Sequence, residues 1–216
     1  MDNLLLVTRP KYEDGTEYLS AYALEVLKEA INFKISVKDF EGKEANKENV
    51  EKYLKTKNPK LLFLNGHGNE CEICGHKNEV IFSLENIRLL KDKIIYARAC
   101  FAACSFGREA VKDNSGCFIG YIHPFSFWMS DSWSTKPLND KIASLYLKPS
   151  NEIMFSLLKG RTAKEADNKS KKMMVENMKK ILAMKQKEEP GAIGMFKILW
   201  ENYEGQVVLG NEEASF

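Results

Sequence analysis

The chain has 216 residues, 44% of them hydrophobic and 29% charged, which is enough for one α/β domain with a full core and short for two. With 32 basic and 30 acidic residues the net charge is only +2, so neither general polyanion binding nor a nucleic-acid partner is expected. The apolar runs fall far short of a bilayer and no basic stretch precedes the first of them, so no membrane partner or signal peptide is expected and a cytoplasmic location fits.

Residues 4–7, Leu-Leu-Leu-Val, read as a buried strand, and residues 18–31 carry apolar side chains at a helical period. A second strand is predicted over 33–37 and a short helix over 46–54, stopped by Lys57-Asn58-Pro59. The third strand is 60–64; residues 65–79, polar and with three glycines, read as a loop. A short extended piece at 80–83 and a helical turn through 89–90 lead to a fourth strand at 93–98. A helix over 102–111 and a fifth strand at 118–121 complete the alternating part. Such alternation means right-handed βαβ crossovers and a mainly parallel central sheet with helices on both faces, the 60–64 and 93–98 strands at its centre. Residues 136–159, 163–185 and 193–203 read as helices, and 206–211 as a closing strand. The whole is one domain: an α/β core over 1–130 and helical additions with a closing strand over 131–216.

Two residues stand where such a sheet places its chemistry. Leu61-Leu62-Phe63-Leu64 leads through Asn65-Gly66 to His67, and Ile94-Ile95-Tyr96-Ala97 leads through Arg98-Ala99 to Cys100. Ligands of parallel α/β sheets bind at the carboxyl ends of the strands, so an imidazole and a thiol converge there as a nucleophile and its proton carrier. A helix following Cys100 is expected to favour its thiolate, and the Gly68 and Cys100 amides are the natural donors to an oxyanion. Five cysteines in a chain of this size suggest free thiols and no disulfide framework.

An apolar block followed by His-Gly, and later an apolar block followed by Ala-Cys, resembles the caspase-like superfamily of cysteine peptidases, which includes caspases, legumain, clostripain, gingipains, separase and the bacterial CHAT domains. The separation of 33 residues between His67 and Cys100 is similar to that of compact bacterial members. Phe118-Ile119-Gly120-Tyr121 and Leu209-Gly210-Asn211 add likeness to the gingipain and CHAT side. The resemblance covers roughly residues 1–130. It implies a caspase-like fold and a cysteine endopeptidase acting through a Cys100–His67 dyad and a thioester acyl-enzyme. It implies no cofactor or metal and no obligatory third catalytic member, with a protein or peptide substrate and room for an activating or regulatory protein partner. In caspases and legumain the residue two before the nucleophile lines the primary specificity pocket, so Arg98 here implies an acidic P1 side chain. Asp131, with Trp128 in the same stretch, is the rival lining and implies a basic P1, as in clostripain-like relatives. The chain departs from caspases in having Arg98 where Gln precedes Ala-Cys, and in having Phe101-Ala102-Ala103 where a Gly follows the nucleophile.

Other readings stay open. Cys104 in Ala103-Cys104-Ser105-Phe106-Gly107 is a rival nucleophile, placed by its spacing about one helical turn beyond the strand end. Cys71-x-x-Cys74 with His67 and His76 has zinc-like local spacing, but a structural site usually closes with a distant second pair. Free thiols in a mobile loop over the active site are the expectation for Cys71 and Cys74. Besides the peptidase, the alternatives are a catalytically silent caspase-like scaffold and a zinc-stabilised α/β interaction module.

Overall fold

The structure, a computed structural model, describes residues 3–112, 116–186 and 190–216, without the side chain of Asp131. Four short apolar runs, buried on both sides, form the middle of one six-stranded sheet, and two less buried strands form its edges. The six strands are β1 (Leu4–Arg9), β2 (Ser36–Glu41), β3 (Leu61–Asn65), β6 (Ile94–Arg98), β7 (Cys117–Tyr121) and β8 (Gln206–Gly210), in the order β2-β1-β3-β6-β7-β8 with β2 and β8 at the edges. The first five run parallel, and β8 closes the edge antiparallel to β7. The 60–64 and 93–98 runs are indeed neighbours at the centre, with Leu61 opposite Ile94 and Asn65 opposite Arg98. Between β3 and β6 lies a separate hairpin, β4 (Glu72–Cys74) with β5 (Val80–Ser83).

The period of two sorts each strand between two layers. Leu5, Val7, Leu61, Phe63, Ile94, Tyr96 and Ile119 pack under α1 (Asp14–Asn32) and α4 (Ser144–Leu158). Leu6, Leu62, Leu64, Ile95, Ala97 and Phe118 pack under α2 (Lys47–Lys57), the hairpin and α3 (Ser105–Ala110). The remaining helices, α5 (Ala163–Gln186) and α6 (Ala192–Gly205), share a third apolar cluster with α4 through Tyr146, Met174, Met178, Ile181 and Leu199. A buried polar chain couples that layer to the sheet: Tyr96 Oη lies 2.6 Å from Ser150 Oγ, Tyr121 Oη donates to Gln206 Oε1 at 3.2 Å, and Gln206 Nε2 donates to Asp167 at 2.8 Å. Among the described residues no helix is long and apolar enough to cross a membrane.

Several expected boundaries move. The second strand is 36–41, not 33–37: Phe33 ends α1 and Lys34 takes a left-handed turn before Ser-Val-Lys-Asp-Phe-Glu runs out as a polar edge strand. Residues 65–79 are not an open loop. Gly68 pairs with Ile73, and Asn69 Oδ1 accepts from Cys71 N at 2.8 Å, which folds the segment into a tight turn and a ladder. The helix expected over 102–111 shrinks to Ser105–Ala110 because residues 99–104 form a turn, and the helix expected from 136 starts at Ser144.

Candidate active site

At the carboxyl end of the sheet, three adjacent strands each deliver one polar side chain: β1 leads to Glu13, β3 to His67 and β6 to Cys100. Their last turns are pinned from beneath by buried groups. Thr8 Oγ1 accepts from Asn65 N at 3.0 Å, Asn65 Nδ2 donates to Thr8 O at 2.8 Å, and Arg98 Nε donates to Asn65 Oδ1 at 2.6 Å. Cross-strand neighbours are thereby locked in register two residues before His67 and Cys100.

Two glycines set His67. Gly66 has φ +145°, and a side chain there would run into the Cys74 carbonyl. At Gly68 a Cβ would meet Ala99 Cβ and Glu72 O at 2.9 Å and Cys100 O at 3.3 Å, so this backbone lies against the β6 exit. The Gly68–Ile73 pairing uses Asn69 N to Glu72 O, 3.0 Å, and Cys74 N to His67 O, 2.9 Å, which leaves the Gly68 N–H out of the ladder.

His67 Nε2 sits 2.5 Å from Glu13 Oε1, with both side chains nearly half exposed. Glu13 directly precedes α1, and the Thr16 hydroxyl accepts from the Glu13 amide at 3.2 Å, fixing where the carboxylate starts. Tyr12 lies between the histidines, its ring centroid 6.4 Å from His67 and 5.3 Å from His76. Sequence reasoning misses Glu13: the pair joins residues 54 apart, and only the adjacency of β1 and β3 brings them together.

Cys100 is half-buried in the turn after β6. Its Sγ donates to Phe125 O at 3.8 Å, and burial pushes its thiol pKa up. The expected lowering by a helix terminus does not occur, because α3 is six residues long and begins only at Ser105. Phe101, where a glycine was missed, takes the left-handed conformation at φ +57°, and its N–H donates to His123 O at 3.2 Å. A bulky residue in this region is an outlier held by its surroundings, here at the point where the chain turns beside the thiol. Cys104 is not inside a helix as its spacing suggests. It precedes α3, half-buried, with Sγ 3.6 Å from Ile122 O, and its pKa is raised first by burial and then by Glu70. A Cβ built on Gly68 would meet the Cys100 carbonyl at 3.3 Å, so the backbone that follows His67 runs close to that of Cys100.

Arg98 cannot line a specificity pocket as expected. It is 0% exposed, it donates to Asn65 Oδ1, to Asn151 Oδ1 at 3.1 Å and to Leu19 O at 2.9 Å, and it stacks 4.6 Å over Phe63. No carboxylate pairs with it among the described residues, and burial lowers its pKa to about 10. It is a strut tying β6 to β3, α1 and α4, and the acidic-P1 expectation loses its cation. Trp128 is 42% exposed and rests on the first turn of α6, where a Cβ at Gly194 would meet its ring at 3.1 Å. The backbone of Asp131 opens a short 3₁₀ turn through Trp133, and its side chain lies outside the described residues. The loop carrying Phe125 and Trp128 is held by α6: Asn202 Oδ1 accepts from Ser126 N at 3.1 Å, and its Nδ2 donates to Ser126 O at 2.7 Å. The helical third thus positions the carbonyl that faces Cys100.

Cys71 is exposed and Cys74 half-buried, both as free thiols, in the ordered β4 turn. Among the described residues no three His, Cys, Asp or Glu side chains gather into a group that could hold a metal ion. Compared with protein-family models and with curated proteins, the chain matches none.

Proposed function

We propose that the chain is a cysteine peptidase of caspase-like type, with Cys100 as nucleophile and His67 as proton carrier. The observation that carries this reading is the delivery of Glu13, His67 and Cys100 by the carboxyl ends of three neighbouring parallel strands. Glu13 engages Nε2, so proton transfer falls to Nδ1, and the carboxylate stabilises the imidazolium formed on the way. The resting thiol is protonated, its pKa raised by burial, so attack removes its proton as the bond forms and no standing ion pair is required. Sγ bonds to the scissile carbonyl carbon, and the oxyanion takes the Gly68 and Cys100 N–H groups. The C–N bond breaks as His67 returns a proton to the leaving amine, and water then hydrolyses the thioester. A protein or peptide is the substrate, and the cytoplasm, which keeps thiols reduced, suits the nucleophile.

A catalytically silent scaffold is the second reading, favoured by the Sγ hydrogen bond to Phe125 O and by the raised thiol pKa. Mass-spectrometric profiling of cleavage in a peptide library decides between them. Cleavage lost in Cys100→Ala and in His67→Ala but kept in Cys104→Ala supports the peptidase. Absence of cleavage, or cleavage indifferent to Cys100→Ala, favours the scaffold.

A further inference from the structure

The opposite end of the same strands has a different chemistry. Lys60 and Lys93 immediately precede β3 and β6, joined where Ile94 N donates to Lys60 O at 2.9 Å. With Lys57 and Lys91 these line a cleft of about 700 Å³ in which, among the described residues, Asp92 is the one acidic lining residue. A second hollow of about 360 Å³ shares Lys60, Asp92 and Lys93 and continues toward the end of β8. The chain's net charge of +2 conceals this local excess of cations.

Lys93 separates the cleft from an ordinary solvated basic face. It is only 4% exposed, and its Nζ has one hydrogen-bond acceptor, Asn58 Oδ1 at 2.6 Å, a neutral amide. An ammonium carries three donors, and burying it without a counter-charge is costly. Burial accordingly pushes its pKa down, opposed by the charge of Asp92. Among the described residues, none of the four lysines takes part in an ion pair, although ion pairs form elsewhere, as at Lys55–Glu51 and Lys164–Glu212. The carboxyl end of α2 accounts for Lys57, since cations are favoured there. It does not account for three more lysines arriving from the starts of β3 and β6 and the turn before β6.

We propose that this cleft binds a small polyvalent anion bearing two or more phosphate groups, which supplies the contact ion pair that Lys93 does not make among the described residues. Lysine binds phosphate as a point charge, and four of them converge on a space large enough for several phosphoryl groups. Among the described residues no aromatic side chain lines the cleft, so recognition rests on charge and hydrogen bonding and not on stacking of a base. The proposal is independent of the peptidase reading, because the site lies at the far end of the strands from His67 and Cys100.

The test is calorimetric titration of the full chain with inorganic tripolyphosphate, with melting temperature followed in parallel. Sodium chloride at equal ionic strength and orthophosphate are the controls. Saturable binding that raises the melting temperature, weakens with salt and exceeds that of orthophosphate is expected. The exposed pair Lys60→Gln/Lys91→Gln, which leaves the core intact, weakens it by about tenfold or more, the order expected for losing hydrogen bonds to a charged group. Lys93→Met abolishes it, and Lys172→Gln/Lys179→Gln on the outer face of α5 leaves it unchanged. No binding at millimolar tripolyphosphate, equal affinity for orthophosphate, or loss through the α5 lysines with the Lys60/Lys91 variant unaffected would each overturn the proposal.

Discussion

The carboxyl end of the sheet has two layers of opposite character. The upper layer, Glu13, His67 and Cys100, is partly exposed and held by few contacts. The layer beneath, Thr8, Asn65, Arg98 and Asn151, is fully buried, and its groups are tied to one another or to backbone across β1, β3, β6, α1 and α4. On the proposed peptidase reading the difference is one of task. Groups that must change protonation or bond to substrate need access, whereas groups that hold strand ends within fractions of an ångström need to be dry and saturated. Mutations should therefore act on stability in the lower layer and on reactivity in the upper one.

The largest effect is expected at Arg98. Arg98→Ala removes a packed side chain and leaves Asn65 Oδ1, Asn151 Oδ1 and Leu19 O without their donor, which should cost about 3–5 kcal/mol in denaturant unfolding. A loss below about 1 kcal/mol, the scale of an ordinary surface change, would mean that the lower layer is not the strut described. Gly66→Ala comes next: with φ +145° and the Cys74 carbonyl in the way, a loss of about 1–3 kcal/mol is expected, together with reduced activity because His67 follows directly.

Glu13→Gln should invert that pattern. Its carboxylate is 45% exposed, so stability should stay within about 0.5 kcal/mol while kcat/KM falls about 100-fold, the low end for perturbing a general acid–base group. A lowered melting temperature with unchanged kinetics would move Glu13 into the structural layer.

The smallest effect is a pH profile. Burial raises the pKa of Cys100 above the ordinary thiol value of 9.0, so its alkylation by iodoacetamide should still be climbing beyond pH 9.0 and should not level off near neutrality. In linkage terms this group's contribution to stability is complete below the unfolded thiol pKa and is lost as pH rises through the folded one. A labelling rate already flat at pH 7 would show a preformed thiolate and contradict the geometry.

The two layers were not equally legible in the sequence. His67 and Cys100 follow apolar runs, and parallel pairing of those runs puts Asn65 opposite Arg98, so both residues arrive two positions beyond the same rung. That much depends only on local pattern and on the rule that ligands bind at carboxyl ends. Arg98 was misread because a polar residue at a strand end looks the same in sequence whether solvent or Asn151, 53 residues away, receives it. The extended piece at 80–83 is β5 of the structure, but β4 and its pairing with β5 are not legible, because a strand of three residues carries no measurable period. The length of α3 was overestimated because the residues after Cys100 have good helix propensity, while Phe101 N–H to His123 O and Ala103 N–H to Tyr121 O, 3.0 Å, draw that backbone to β7 and its exit loop.

The most direct test is to map which thiol reacts with a peptide bearing a thiol-directed electrophile at the scissile position. After brief exposure at neutral pH, the folded wild-type chain, Cys104→Ala, Glu13→Gln and Cys100→Ala are compared by tryptic mass spectrometry. Exclusive adduct formation at Cys100, slowed in Glu13→Gln, unchanged in Cys104→Ala and absent from Cys100→Ala, is the expected result. Modification centred on Cys104 or the exposed Cys71, with Cys100 untouched, would contradict the account.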